Sequence, residues 1–202
     1  MRIGVVERTL DWWPRIRTRL FTLLIAGQFK EIGRGARISP PFRSCGLRNI
    51  SLGEGVIIHR DCWIHTIPAS EAEETSTKLL IGSHAGIGMG ASISAARKIV
   101  LGEHVVLARN VYISDHAHAF ASVEVPIGQQ GINNIAPVLV GRETWLGQNV
   151  VVLPGVTIGK HCVIGANSVV NSSIPDFSVA VGAPARVVKQ YNKSTGRWER
   201  VN

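Results

Sequence analysis

Aliphatic residues return every six positions along most of this chain, a period that few backbones can accommodate. Val140, Leu146, Val152, Ile158, Ile164 and Val170 stand six apart, and Gly147, Gly159 and Gly165 directly follow three of them. Four residues after the aliphatic positions come Thr144, Val150, Val156, Cys162 and Ser168, all small or β-branched. The same phase runs through Leu52, Ile58 and Ile64, through Ile81, Ile87 and Ile93, and through Leu101, Leu107 and Ile113, with a weaker start at Ile32 and Ile38. Neither the 3.6-residue helix nor the two-residue strand alternation has this period. A short strand followed by a corner does. In such a unit the aliphatic residue points inward, the small residue fills the narrow space near the corner, and Gly or Asn takes the turn.

Three units close one coil, which predicts an all-β solenoid: a left-handed parallel β-helix, an exception to the usual right-handed crossover. The 21 glycines and an aromatic content of only 6% suit a fold with many tight corners and little bulky packing. Asn110, Asn149 and Asn167 each lie three residues after an aliphatic position, where a corner residue tolerating left-handed φ is expected. Cys62 and Cys162 fall at the small inward position and read as filler. The expected organisation is a basic amphipathic helical segment over 1–31, a β-helix domain over 32–183, and a C-terminal tail over 184–202 with a short helix.

Charge is unevenly distributed. Residues 1–48 carry ten Lys/Arg against three Asp/Glu, residues 49–185 seven against ten, and residues 186–202 five against one. The balances are +7, −3 and +4, so the basicity sits at the two ends and the body is slightly acidic. That is not the footprint of a nucleic-acid binder, whose recognition face carries interleaved basic and aromatic residues. The three cysteines show no CxxC pairing, which argues against a disulfide framework or a thiolate metal site. No signal-peptide pattern or membrane-length apolar run is visible, and the expectation is a reduced, cytoplasmic chain without a bound metal.

Breaks in the register locate the candidate site. After Ile64 the next unit is due at 70 but arrives at Ile81, around ASEAEETST. After Ile113 it is due at 119 but arrives at Val140, so a larger loop leaves the coil at about 115–137. That loop opens with Asp115, His116 and His118, and a rigid scaffold that ejects a loop bearing two histidines offers a site. A neutral imidazole is suited to take a proton near pH 7. Asp115 either orients an imidazole or caps the loop.

The run ETWLGQNVVVLPGVTIGKHCVIGANSVV, followed by SIPDFSVAVGAPARVVK, resembles the hexapeptide acyltransferases, in particular the sugar and polysaccharide O-acetyltransferases. The resemblance covers roughly residues 32–190. It implies acetyl transfer from acetyl-coenzyme A to a saccharide hydroxyl, with a histidine general base eight residues beyond a corner; counting from Asn110 gives His118, with His116 as the reserve candidate. It also implies a homotrimer with sites between subunits and a coenzyme held by Trp145, Gln148, Ala166, Asn171, Ser172, Arg186 and Lys189. Arg186 and Lys189 would meet phosphates, and Trp145 would wall the acyl end. Small-sugar members have Thr-Lys where this chain has Asn171-Ser172, and the acceptor asparagine of galactoside-type members would fall near Gly88. The acceptor is therefore not inherited, and a role in surface-polysaccharide or lipopolysaccharide biosynthesis is the expectation.

Two other classes share the prism. A zinc hydratase of the γ-carbonic anhydrase kind needs three converging histidines, for which a neighbouring subunit would have to offer His84 or His104. A non-catalytic scaffold would need neither the histidine loop nor the coenzyme-type ending. Outside the repeat, Pro14 suits a first turn, and Trp13, Ile16, Leu20 and Leu24 stand at helical spacing as an apolar stripe, with Arg15, Arg17 and Arg19 among them. This segment either covers the open end of the coil or also rests on an anionic membrane, where it would meet a lipid-linked glycan.

Overall fold

The six-residue units form strands of two to five residues, each ended by a corner, in a computed structural model that describes residues 5–67 and 76–201. Successive strands go to successive sheets and every third strand pairs in parallel, so the chain winds as a three-sided coil. Face A stacks Ile32, Leu52, Ile81, Leu101, Val140 and Ile158 in register. Face B stacks Ile38, Ile58, Ile87, Leu107, Leu146 and Ile164. Face C stacks Ile64, Ile93, Ile113, Val152 and Val170. All of these except Ile32 are buried. Each contributes about 1.5–3 kcal/mol of transfer free energy, and together they form one continuous core. Cys62 and Cys162 are fully buried at the inward filler position, and burial pushes the Cys62 thiol up to about 11.

Corners explain the remaining sequence pattern. Asn110, Asn149 and Asn167 adopt φ of 57°, 58° and 59°, and their amides form a ladder. Asn110 Nδ2 donates to Asn149 Oδ1 at 3.2 Å, and Asn149 Nδ2 to Asn167 Oδ1 at 2.9 Å. On the edge between faces A and B, His84 and His104 take the same left-handed turn and stack with ring centroids 5.0 Å apart. They are corner residues. At Gly141 an added Cβ would lie 2.5 Å from Lys160 N, so the coils approach there only because no side chain intervenes.

Helix α1 spans Val5–Ala26, longer than the proline position suggests, since Pro14 lies inside it rather than in its first turn. The helix continues N-terminal to Pro14 although an interior proline removes one N–H bond and crowds the preceding turn. Its docked side carries Thr18, Phe21, Thr22 and Ile25. Thr22 Oγ1 accepts the Ile38 N–H at 2.8 Å and donates to Thr18 O at 2.7 Å. That N–H lies on the open edge of the first coil, so α1 occupies the edge where another strand would otherwise pair.

The C-terminal tail departs from the expected helix. Arg186–Asn192 and Arg197–Arg200 form an antiparallel hairpin that continues face B beyond Ser178–Val181. The run VVKQY favours strand over helix, and the edge at Ser178–Val181 supplies backbone partners. Gly196, at φ 67°, and the Asn192 side chain, which accepts the Ser194 N–H at 2.9 Å, shape the turn. Arg186 and Lys189 therefore project from a strand. The excursion around ASEAEETST lies mostly outside the described residues, as do residues 1–4 of the N-terminal segment. No described helix is long and apolar enough to cross a membrane.

Candidate active site

One residue beyond each inward aliphatic of face C, His65, Ser94 and Ser114 fall in register on adjacent coils. The chain then leaves the coil through Asp115. This carboxylate is fully buried and holds the preceding coil's corner, accepting the N–H groups of Ala96 at 2.8 Å and of Arg97 and Lys98 at 2.7 Å each. Its Oδ1 also lies 2.9 Å from His116 Nδ1. Asp115 thus both caps the corner and orients an imidazole.

The polar groups form a directed chain. An ionised carboxylate only accepts, so in the neutral ring of His116 the proton sits on Nδ1 and Nε2 is the acceptor. Ser94 Oγ lies 3.3 Å from that Nε2 and 2.8 Å from His65 Nε2. If Ser94 donates to His116, it accepts from His65, whose buried Nδ1 has no partner among the described residues. Burial lowers the pKa of His65, and the neighbouring His116 acts in the same direction. His65 is accordingly neutral near pH 7, stacked on Trp63 with centroids 4.6 Å apart.

His118 is placed differently. After His116 the chain forms a two-stranded antiparallel hairpin in which Ala117–His118 pairs with Ile132–Asn133, which turns His118 outward. Its side chain is exposed and makes no hydrogen bond among the described residues. Both histidines line a cavity of about 530 Å³ together with Trp63, His65, Ser94 and Tyr112, and Leu153 and Pro154 of the following coil close its far side. One ring is anchored at both nitrogens and the other is open to the cavity.

The residues expected to hold a coenzyme fall into separate groups. Trp145 and Lys189 line a cavity of about 440 Å³ on face B, with Trp198 of the hairpin. Gln148 and Ala166 sit on adjacent coils at the corner between faces B and C, where Asn167 N donates to Gln148 O at 2.8 Å. Asn171 and Ser172 follow Val170, which pairs with the coil of Leu153, so they lie one coil beyond the histidine cavity on the same edge. Arg186 is exposed at the start of the hairpin, and its guanidinium donates to Ala185 O at 2.9 Å. Within one chain the Trp145–Lys189 cavity and the histidine cavity are on different faces.

Trp63, His65 and Ser94 were not singled out by sequence reasoning. The signal was available: once 64, 93 and 113 are accepted as stacked positions, 65, 94 and 114 must stack as well.

Residues 137–172 match the family model described as bacterial transferase hexapeptide (six repeats). The chain is 31% identical over 172 residues to the galactoside O-acetyltransferase of Lactococcus lactis, covering 85% of this chain and 68% of the relative. It spans a little over half the length of two other curated relatives. One is named as a probable acetyltransferase of Mycobacterium tuberculosis, 37% identical over 159 residues, with 74% of this chain and 52% of the relative covered. The other is an Escherichia coli K12 protein provisionally named a lipopolysaccharide biosynthesis O-acetyl transferase, 38% identical over 115 residues, with 54% and 58% covered. Among solved structures, a maltose O-acetyltransferase from Clostridium difficile superposes with a TM-score of 0.57 at 29% identity, covering 90% of this chain and 86% of that one. The N-acyltransferase AntD from Bacillus cereus shares the fold, with a TM-score of 0.71 at 20% identity over 87% and 90% of the two chains. With the repeat stacked in register and a relative matched over two thirds of its length, the chain belongs to the hexapeptide-repeat acyltransferase family.

Proposed function

We propose that the protein transfers an acetyl group from acetyl-coenzyme A to a hydroxyl of a saccharide acceptor, in the biosynthesis of a surface polysaccharide or lipopolysaccharide. The observation that carries this reading is the cavity at the loop root, where His116 is anchored and His118 is open. Acyl transfer from a thioester to an alcohol needs no enzyme nucleophile; it needs a base for the hydroxyl proton and donors for the thioester oxygen. We assign the base to His118, which lines the cavity with an exposed side chain. As the acceptor oxygen attacks the carbonyl carbon, its proton passes to His118, and the coenzyme thiolate leaves and is reprotonated. His116, fixed by Asp115 and Ser94, positions the loop root beside it. The acetyltransferase names of the relatives support the donor, and the saccharide terms in two of them support the acceptor class.

The coenzyme would run along the corners past Gln148, Ala166, Asn171 and Ser172, with its phosphates toward Arg186 and Lys189 and its acyl end near Trp145 of an adjoining subunit. Because the two cavities lie on different faces of one chain, this route calls for a second copy, and we infer a homotrimer with sites between subunits. The left-handed winding typical of the hexapeptide period, a β-helix unit over 32–183 with α1 and the hairpin as appendages, and a cytoplasmic reaction belong to the same reading.

Labelled acetyl-coenzyme A offered with a panel of saccharides, nucleotide sugars and lipid-linked glycans tests the reaction. Label should appear as a base-labile ester on at least one acceptor; coenzyme hydrolysis alone, across the panel, would argue against it. Subunit mixing tests the assembly. Combining His118→Ala chains with Arg186→Gln/Lys189→Gln chains should restore part of the activity if each site draws on two chains, whereas a monomeric mass under active conditions would exclude the trimer.

A further inference from the structure

Helix α1 uses one side to cover the first coil and leaves a second apolar side exposed among the described residues. Trp12, Trp13, Leu20, Leu23 and Leu24 are between 62% and 78% exposed, on the side opposite Thr18, Phe21, Thr22 and Ile25. At 100° per residue, Trp13, Leu20 and Leu24 form a ridge, and Trp12, Ile16 and Leu23 form its flank. Beneath that flank runs a groove of about 570 Å³ between α1 and face B. Its lining includes Arg15, Arg19, Arg37 and His59, and among the described side chains no carboxylate. Arg17 lies on the other flank of the ridge, where its guanidinium donates to Pro40 O at 3.3 Å.

An apolar ridge bordered by arginines, with tryptophans near one end, matches the chemistry of a bilayer interface. Acyl chains accept the leucines, the headgroup region accepts the indoles, and lipid phosphates accept the guanidinium groups. The opposite side of the same helix is tied to the coil through Thr22 and Ile38, so docking would not require α1 to leave the domain. We propose that the outward face of α1 lies flat on an anionic phospholipid membrane, with lipid phosphates entering the groove lined by Arg19 and Arg37. The proposal is independent of the acyl-transfer reading, because no residue of the histidine cavity takes part. If both hold, the acceptor is reached at a membrane surface.

Co-sedimentation of the full-length protein tests it. The protein should pellet with vesicles containing phosphatidylglycerol at low salt, stay in solution with vesicles of phosphatidylcholine alone, and be released by salt. Leu20→Gln/Leu24→Gln should abolish pelleting with an unchanged melting curve, since both side chains are exposed. Arg19→Gln and Arg37→Gln should each lower the partition coefficient about fivefold. The proposal fails if the wild-type protein ignores phosphatidylglycerol vesicles at low salt, or binds phosphatidylcholine equally well. It also fails if Leu20→Gln/Leu24→Gln keeps its vesicle binding, or instead lowers the solution mass, which would mean that a second copy of the chain occupies this face.

Discussion

His118→Ala is expected to lower kcat by about 10²–10⁴, the usual range for removing a general base, with coenzyme affinity nearly unchanged. The structure separates the two histidines in a way that their spacing does not. His116 holds Asp115 Oδ1 at 2.9 Å through Nδ1 and faces Ser94 Oγ at 3.3 Å through Nε2, so both of its nitrogens already have a protein neighbour, and its lone pair is engaged when Ser94 donates to it rather than to His65. His118 has an exposed ring on the outward-turned hairpin strand and lines the same cavity. An incoming hydroxyl can reach the second ring without displacing an existing partner. His116→Ala should therefore produce a smaller fall in kcat together with a loss of thermal stability, because it leaves Ser94 without one of its two partners. Pre-steady-state measurement of acetyl transfer, alongside direct titration of the coenzyme, separates these effects. A larger fall for His116→Ala would move the base to that residue, and near-wild-type rates for both would remove the loop from the chemistry.

The repeat was legible because it is written in the one language that sequence carries well, hydrophobic periodicity. Each predicted inward residue from Leu52 to Val170 is buried and stacked with its predicted partners. The left-handed turns at Asn110, Asn149 and Asn167 were legible for a similar reason, since asparagine tolerates positive φ better than most residues. Non-periodic parts gave less. The tail was misread as helical because the local strand preference of VVKQY was passed over and the sheet edge at Ser178–Val181 that supplies its partners is a tertiary feature. The start of α1 was misplaced because proline, a first-turn preference in sequence, stands inside the helix in this chain. At the site, the histidines stood out as a break in the pattern. Ser94 and His65 did not, since serine and histidine at an outward-going strand end are unremarkable until three coils are stacked. Asp115 left two readings open in sequence, and both of its contacts exist simultaneously.

That double role makes Asp115→Ala the substitution with the largest expected effect on stability. The carboxylate is wholly buried at the point where the loop leaves the coil, and it accepts three backbone N–H groups from a single corner. Removing it leaves the buried Ala96 N–H unpaired and takes charge-assisted bonds of 2.7 Å from Arg97 and Lys98, which are only partly shielded and can recruit water. A hydrogen bond to a charged group contributes about 1.5–3 kcal/mol, and a buried donor left unmade costs about 1–3 kcal/mol, so a total near 3–5 kcal/mol is expected after partial rehydration. For a chain of this size each kcal/mol moves Tm by roughly 2–4 °C, which places the fall on the order of 10 °C. Asp115→Asn should lose less, because one amide oxygen still accepts, but its NH2 group would face an N–H donor at the second position. Asp115→Ala also removes the carboxylate that orients His116, leaving Nδ1 only the more distant Ser114 Oγ at 3.3 Å, so its fall in activity should exceed the fall attributable to unfolded protein when rates are measured well below Tm. Thermal melts and rates measured on the same samples decide the matter. If Asp115→Ala melts with the wild type, the corner does not depend on the carboxylate, and if it melts early but retains full activity in its folded fraction, Asp115 holds the loop without orienting the imidazole.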